Sequence, residues 1–211
     1  MNKQPQIMEE EVSDKLLTAP NVITLIRFLL IPIYLWLLFV LHQEIAALIV
    51  FALAASTDWI DGQVARRTGQ VSKVGKIFDP LVDRFLIASG VVSICLLGRL
   101  PIWVPIFLIA RDLILLIEGK ILLKISNKVP SVIYSGKFAT AFLLFGFCFL
   151  MLNAPYVPSL HIFSVTWLPG FGFDTVALGM YFVYIGVILS FITFVIYQVR
   201  GIEIFVSESK H

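Results

Sequence analysis

The stretch that decides the fold runs from Asp58 to Asp83 and reads DWIDGQVARRTGQVSKVGKIFDPLVD. Its pattern is D-x-x-D-G-x-x-A-R, then eight residues, then G-x-x-x-D-x-x-x-D. The four aspartates of this pattern stand at helical spacings, and the sequence on both sides of them is strongly apolar. Because a carboxylate placed against a membrane is costly, such a cluster indicates a functional site.

The composition indicates a membrane protein. Of the 211 residues, 59% are hydrophobic and 14% are charged, whereas about 25% of the residues in a soluble domain are charged. Six apolar stretches are long enough to cross a bilayer, which takes about 20 helical residues. They are Val22–Leu41, Ile45–Ala65, Asp79–Leu97, Pro101–Leu123, Tyr134–Leu152 and Thr175–Val199.

We therefore predict an all-α integral membrane protein with six transmembrane helices. A cytoplasmic juxtamembrane segment at 1–19, amphipathic in part, precedes one membrane domain at 20–202, and a cytoplasmic tail follows at 203–211. With a cytoplasmic N-terminus, all of the 16 Lys and Arg residues except Arg99 and Arg111 fall in inner segments. This asymmetry predicts a multi-pass protein of the cell membrane whose aspartate motif lies on the cytoplasmic side.

The first predicted span carries polar residues on one helical face. Asn21, Thr24 and Arg27 follow one another at intervals of three, which aligns them near one end of the helix. We interpret them as a polar stripe that faces a site. The alternative is that Arg27 extends to lipid headgroups and Thr24 bonds to its own helix.

The four aspartates predict a metal site. Asp58 and Asp61 lie one turn apart, and Asp79 and Asp83 repeat the arrangement near the expected start of the third helix. Two antiparallel helices packed at these ends would bring all four carboxylates into one pocket as candidate ligands. Divalent cations would relieve their mutual repulsion, and oxygen ligands suit Mg²⁺ or Mn²⁺. Neither His nor Cys lies near the motif, which argues against zinc.

The other fixed residues of the motif favour binding of a pyrophosphate. Gly62 and Ala65 leave space beside the carboxylates, and Gly75 allows a close approach of the backbone. Arg66 can pair with a phosphate oxygen. A cation channel or transporter is an alternative, but its acids would be spread along the membrane depth, whereas these are gathered at one face.

The complete motif resembles the signature of the CDP-alcohol phosphatidyltransferases and matches it at every fixed position. That resemblance implies a six-helix membrane enzyme, commonly a homodimer, that transfers a phosphatidyl group from CDP-diacylglycerol to an alcohol and releases CMP. It implies two Mg²⁺ or Mn²⁺ ions and a general base that takes the proton of the acceptor hydroxyl. By the same resemblance, the metals are held by Asp58, Asp61 and Asp79, the CDP group by Gly62, Arg66 and Gly75 with Asp61, and the base is Asp83.

The residues that select the acceptor alcohol are expected in the later helices. Arg111, Lys120 and Lys137 are the candidate acceptor-binding residues; the alternatives are a buried structural pair of Arg111 with Asp112 and ordinary cationic anchoring. The first three spans resemble the phosphatidylglycerophosphate synthases of the family, which use glycerol 3-phosphate. Those enzymes usually show G-K-x-K-T at the start of the fifth span, where this chain has G-K-F-A-T at 136–140.

The strings VPS at 129–131 and GKFAT at 136–140 resemble more closely the actinobacterial-type cardiolipin synthases. Their acceptor is phosphatidylglycerol, whose single phosphodiester charge requires fewer cations than a phosphomonoester does. Phosphatidylglycerol is therefore the expected acceptor, with glycerol 3-phosphate as the alternative. A non-catalytic paralogue is a further alternative, but the intact set of four aspartates argues against it. The stretch Asn153–Phe173 is expected to be an interfacial loop with aromatic anchors.

Overall fold

The computed structural model describes residues 19–68, 73–126, 134–162, 165, 167–172 and 174–208. For residues 19, 20, 58–68, 73–77, 126 and 206–208 it describes the backbone only. The helices and strands, in chain order, are α1 (Ala19–Phe39), α2 (Glu44–Thr68), α3 (Lys73–Leu96), α4 (Trp103–Ser126), α5 (Tyr134–Leu152), β1 (Tyr156–Pro158), β2 (Thr175–Ala177) and α6 (Gly179–Glu208). The chain forms two compact units, which are divided between Leu86 and Ile87.

Three helices of the described chain are long and apolar enough to cross a membrane. They contain Asn21–Phe39, Tyr134–Leu152 and Gly179–Phe205, with mean hydropathies of 2.3, 1.7 and 2.2. A shorter apolar stretch, Glu44–Thr57, lies in α2. The middle of α4 contains Arg111, Asp112 and Glu118, which lowers its apolar character. The predicted helical class is confirmed, and the count of six spans stays a prediction.

The two helices that carry the aspartate motif differ in how well they were predicted. Helix α2 runs on to Thr68, so it ends within the motif as predicted. Helix α3 begins at Lys73, and the expectation of a start near Asp79 was wrong. Pro80 removes the N–H that would bond the carbonyl four residues earlier, and its ring crowds that carbonyl, but its fixed φ is itself helical. A helix held by its neighbours can therefore pass through Pro80.

The first unit is built on the antiparallel packing of α1 against α2, which are joined by residues 40–43. Tyr34 and Phe51 are both fully buried, and their rings meet edge to face with centroids 5.3 Å apart. Ala47 and Ala54 are buried on the same face of α2. These small side chains let α1 approach closely, because association of helices in lipid depends on tight packing.

The second unit contains a close contact between α5 and α6. A Cβ atom added to Gly146 would lie 2.7 Å from Val183 Cγ2, and one added to Gly186 would lie 2.7 Å from Leu143 Cγ. The two backbones can approach only because these side chains are absent. At the end of α5, Arg99 Nη1 donates to the carbonyl of Met151 at 2.6 Å and satisfies a terminal acceptor of the helix.

The segment between α5 and α6 contains a short antiparallel ribbon in which β1 pairs with β2, with Val157 opposite Val176. We did not predict this ribbon, and the sixth span was expected to begin at Thr175, which lies in β2. The helix begins only at Gly179.

Aromatic side chains fix the remainder of this segment to the helices. Trp103 Nε1 donates to the carbonyl of Trp167 at 2.7 Å, and the Tyr184 hydroxyl donates to the carbonyl of Pro169 at 2.8 Å. These two donors belong to α4 and α6 and lie outside Asn153–Phe173, so they are not the aromatic anchors predicted within that loop. The interfacial position of those anchors stays a prediction.

Candidate active site

Asp79 and Asp83 lie one turn apart on α3, and both are partly buried. On a helix, positions four residues apart share one face. The side chain of Asp83 is 36% exposed, so a substrate can reach it. Between them, Val82 is buried, as is Leu86 one turn further on.

The polar stripe of α1 contacts both carboxylates. Thr24 donates a hydrogen bond from its hydroxyl to Oδ1 of Asp79, and Arg27 Nη1 forms an ion pair with Oδ1 of Asp83. Thr24 is 4% exposed and Arg27 is 0% exposed. Two of the three predicted stripe residues, Thr24 and Arg27, therefore face the aspartates, and the alternative in which Arg27 extends to lipid headgroups is wrong.

The order of these contacts gives the relative direction of α1 and α3. The earlier residue of α1, Thr24, contacts the earlier residue of α3, Asp79, and the later residues Arg27 and Asp83 also pair. The two helices are therefore parallel at this point. A step of three residues on one helix matches a step of four on the other, because each is about one turn. Two contacts in register fix the rotation of α3 about its axis.

Thr57 is a residue of this cluster that sequence reasoning missed. Its Oγ1 accepts a hydrogen bond from Arg27 Nε at 3.1 Å and donates to the carbonyl of Ala54 at 2.6 Å. Thr57 directly precedes Asp58, the first residue of the motif. Its position next to the motif was the available signal, but a lone threonine in an apolar helix more often bonds its own backbone.

The remaining motif residues lie in helical backbone whose side chains are outside the described part: Asp58, Asp61, Gly62 and Arg66 on α2, and Gly75 on α3. In the part of the chain whose side chains are described, no group of three or more His, Cys, Asp or Glu residues is present. The convergence of all four carboxylates therefore stays a prediction. The segment with VPS at 129–131 lies outside the described residues.

The two described carboxylates fit a hard divalent cation by their chemistry, because each offers oxygen ligands. Their partners differ, however. Asp79 accepts from a neutral hydroxyl, whereas Asp83 is paired with a buried guanidinium. A guanidinium already beside Asp83 disfavours a second cation there, so Asp79 is the better candidate for a metal ligand of the two.

The three candidate acceptor residues lie in the second unit. Arg111 Nη1 donates to Ser190 Oγ at 3.1 Å and lies 3.5 Å from Asp112 Oδ1, which supports the structural interpretation of Arg111. Lys120 and Lys137 are exposed, and Lys137 Nζ lies 5.6 Å from the centroid of the Tyr134 ring.

The structure does not bring Arg111 and Lys120 together. Nine residues of helix make about 2.5 turns, so the two lie on opposite sides of α4. The role of each in acceptor binding stays a separate prediction.

Comparison with known proteins identifies the family. The sequence model of the CDP-alcohol phosphatidyltransferase family matches residues 17–192. A Streptomyces coelicolor protein named "Cardiolipin synthase (CMP-forming)" is 35% identical over 156 residues, which cover 70% of this chain and 72% of that protein. A Bacillus subtilis protein named "CDP-diacylglycerol--glycerol-3-phosphate 3-phosphatidyltransferase" is 32% identical over 107 residues, covering 44% of this chain and 55% of that protein. With its apolar helices and its aspartate motif, the chain is a membrane protein of the CDP-alcohol phosphatidyltransferase family.

Proposed function

We propose that this protein is a cardiolipin synthase that transfers the phosphatidyl group of CDP-diacylglycerol to phosphatidylglycerol and releases CMP. The observation that carries the catalytic part is the pair of carboxylates on α3, where Asp83 is 36% exposed and held by Arg27. An exposed carboxylate with a fixed orientation can accept a proton from a hydroxyl group.

The proposed donor site uses the motif residues of α2 and α3. Gly62, Arg66 and Gly75, with Asp61, would hold the CDP group. Asp58, Asp61 and Asp79 would hold two Mg²⁺ or Mn²⁺ ions. When bound, these ions neutralise pyrophosphate charge and stabilise the departing CMP.

The proposed chemistry is a displacement at phosphorus. Asp83 takes the proton of the acceptor hydroxyl, and the hydroxyl oxygen forms a bond to the lipid-side phosphorus. The bond from that phosphorus to the oxygen shared with CMP breaks, and CMP leaves with the electron pair. The different partners of Asp79 and Asp83 support the division between metal ligand and base.

Two observations favour phosphatidylglycerol as the acceptor. The alignment with the relative named cardiolipin synthase extends over 156 residues, and the alignment with the relative named for glycerol 3-phosphate extends over 107. The GKFAT string at 136–140 also lacks the second lysine expected for a phosphomonoester acceptor. Glycerol 3-phosphate is the second candidate, since that relative and the exposed Lys120 and Lys137 are compatible with it.

The proposed membrane arrangement has six spans, a cytoplasmic N-terminus and an active site at the cytoplasmic face. The positions of four basic residues support this arrangement. Arg84, Lys124 and Arg200 fall on its inner side, and Arg99 falls on its outer side. We also propose a homodimer, which is common in the family.

An acceptor screen tests the function. Purified protein is given CDP-diacylglycerol and Mg²⁺ or Mn²⁺, with phosphatidylglycerol, glycerol 3-phosphate, inositol phosphate or serine in separate reactions, and CMP is measured. We expect release with phosphatidylglycerol. Release with glycerol 3-phosphate alone would establish the second candidate, and release with none of the four would contradict the enzyme assignment.

A further inference from the structure

Arg27 is the largest polar side chain that is fully buried among the described residues, with 0% exposure. Two of the partners of its guanidinium lie on two different helices. Nη1 pairs with Asp83 on α3, and Nε donates to Thr57 Oγ1 on α2 at 3.1 Å. Since Thr57 directly precedes Asp58, one side chain of α1 connects the two helices that carry the two halves of the motif.

Burial separates Arg27 from the substrate side of the site. Asp83 is 36% exposed whereas Arg27 has no exposed surface, so a ligand that reaches the carboxylate does not reach the guanidinium. Arg27 is therefore placed behind Asp83. A donor or acceptor phosphate could contact Arg27 only after the ion pair had separated.

Stability alone is a poor explanation for this ion pair. Removing two charges from water costs about as much as their attraction returns, and apolar residues of similar volume often serve as well. The guanidinium does offer a planar set of five N–H donors in a fixed geometry. Such a group can fix the orientation of a carboxylate, which an apolar residue cannot do.

We propose that Arg27 is a positioning residue for the general base, a role that rests on the function proposed for Asp83. The guanidinium holds Oδ1 of Asp83 while Thr57 holds the guanidinium. This fixes the torsion of the carboxylate, whose side chain is 36% exposed, in one orientation toward an arriving acceptor hydroxyl.

The prediction concerns kcat rather than donor binding. Misplacing a reacting group by about 1 Å can cost roughly 100-fold in rate, so Arg27→Met should lower kcat about 100-fold. The KM for CDP-diacylglycerol should stay within about threefold, because Arg27 does not touch the donor. Arg27→Lys retains the charge but loses the planar set of N–H donors. Its kcat should therefore be about tenfold higher than that of Arg27→Met.

A double-mutant cycle with Asp83→Asn distinguishes positioning from general structural damage. If Arg27 acts through Asp83, Arg27→Met should reduce the residual single-turnover rate of Asp83→Asn by less than about threefold. Losses that multiply in the double variant would overturn the proposal. So would an unchanged kcat in Arg27→Met, or a raised KM with kcat intact, which would make Arg27 a donor-binding residue.

Two controls complete the experiment. Arg99→Met removes an arginine that is partly buried and donates to backbone carbonyls, and should keep kcat within about twofold even if the thermal midpoint falls. If Arg27→Met yields no folded protein, Arg27→Lys alone and combined with Asp83→Asn supplies the same cycle. Absence of CMP release by the wild-type protein would instead contradict the proposed function, independently of Arg27.

Discussion

The hydroxyl of Thr24 on α1 donates to Oδ1 of Asp79 on α3, joining residues that are 55 positions apart in the chain. The contact lies one turn from the ion pair of Arg27 with Asp83. The first helix, which carries none of the four motif aspartates, therefore contributes directly to the environment of the two on α3. The candidate site therefore draws on three helices, α1, α2 and α3, rather than on the two that carry the motif.

Replacing Thr24 tests the importance of its hydrogen bond. Thr24→Val keeps the shape of the side chain and removes the donor to Asp79. A hydrogen bond to a charged group contributes about 1.5–3 kcal/mol, so kcat/KM for CDP-diacylglycerol should fall by about tenfold or more. Thr24→Ser, which retains the hydroxyl, should stay near the wild-type value. Equal losses in both variants would show that packing, and not the hydrogen bond, is responsible.

Replacing Asp83 separates the chemical step from donor binding. Asp83→Asn removes the proton acceptor and should lower kcat by about 100- to 10,000-fold, the usual contribution of a general base. Binding of CDP-diacylglycerol, measured by direct titration of the variant, should be retained. If donor binding is lost together with turnover, Asp83 is a metal ligand and its assignment as the base is incorrect.

Removing divalent cations tests the metal proposal. Treatment with a chelator should abolish CMP release, and Mg²⁺ or Mn²⁺ should restore it, because the candidate ligands are all carboxylate oxygens. Zn²⁺ should not substitute, since neither His nor Cys lies near the motif. Full activity after exhaustive chelation would contradict the assignment of Asp58, Asp61 and Asp79 as ligands.

The close contact of α5 with α6 predicts a loss of stability on adding one methyl group. In Gly146→Ala the new Cβ would lie 2.7 Å from Val183 Cγ2 and 2.9 Å from the carbonyl oxygen of Gly179. Such overpacking costs about 1–3 kcal/mol. Gly119→Ala is the matched control, because a Cβ there meets nothing within 4 Å, and it should be neutral or stabilising by about 0.5 kcal/mol. Thermal midpoints in detergent measure both, and equal midpoints would contradict the packing argument.

Long apolar helices were the most predictable part of the fold, since length and hydropathy define them. The predicted fifth span, Tyr134–Leu152, coincides with α5 at both ends. The stripe of Thr24 and Arg27 was also predictable, because spacing alone places the two residues on one face. The sequence indicated that the stripe faces a site. It did not indicate that Asp79 and Asp83 are its partners, because the rotation of α3 about its axis does not follow from the sequence.

Features that depend on tertiary contacts could not be predicted. The start of α3 was placed too late because Pro80 has a strong local preference, which the packed helix overrides. The pairing of β1 with β2 joins two three-residue segments, too short for any periodic pattern to show. Thr57 was missed because only the folded chain places it against Arg27.

The ratio of CMP released to cardiolipin formed tests the central proposal most directly. Wild-type protein is given CDP-diacylglycerol and phosphatidylglycerol whose acyl chains differ in mass, and both products are quantified over time. The proposed transfer predicts one CMP for each cardiolipin, and every cardiolipin should contain one pair of acyl chains from each substrate. Cardiolipin formed without CMP, or CMP released only when glycerol 3-phosphate replaces phosphatidylglycerol, would contradict it.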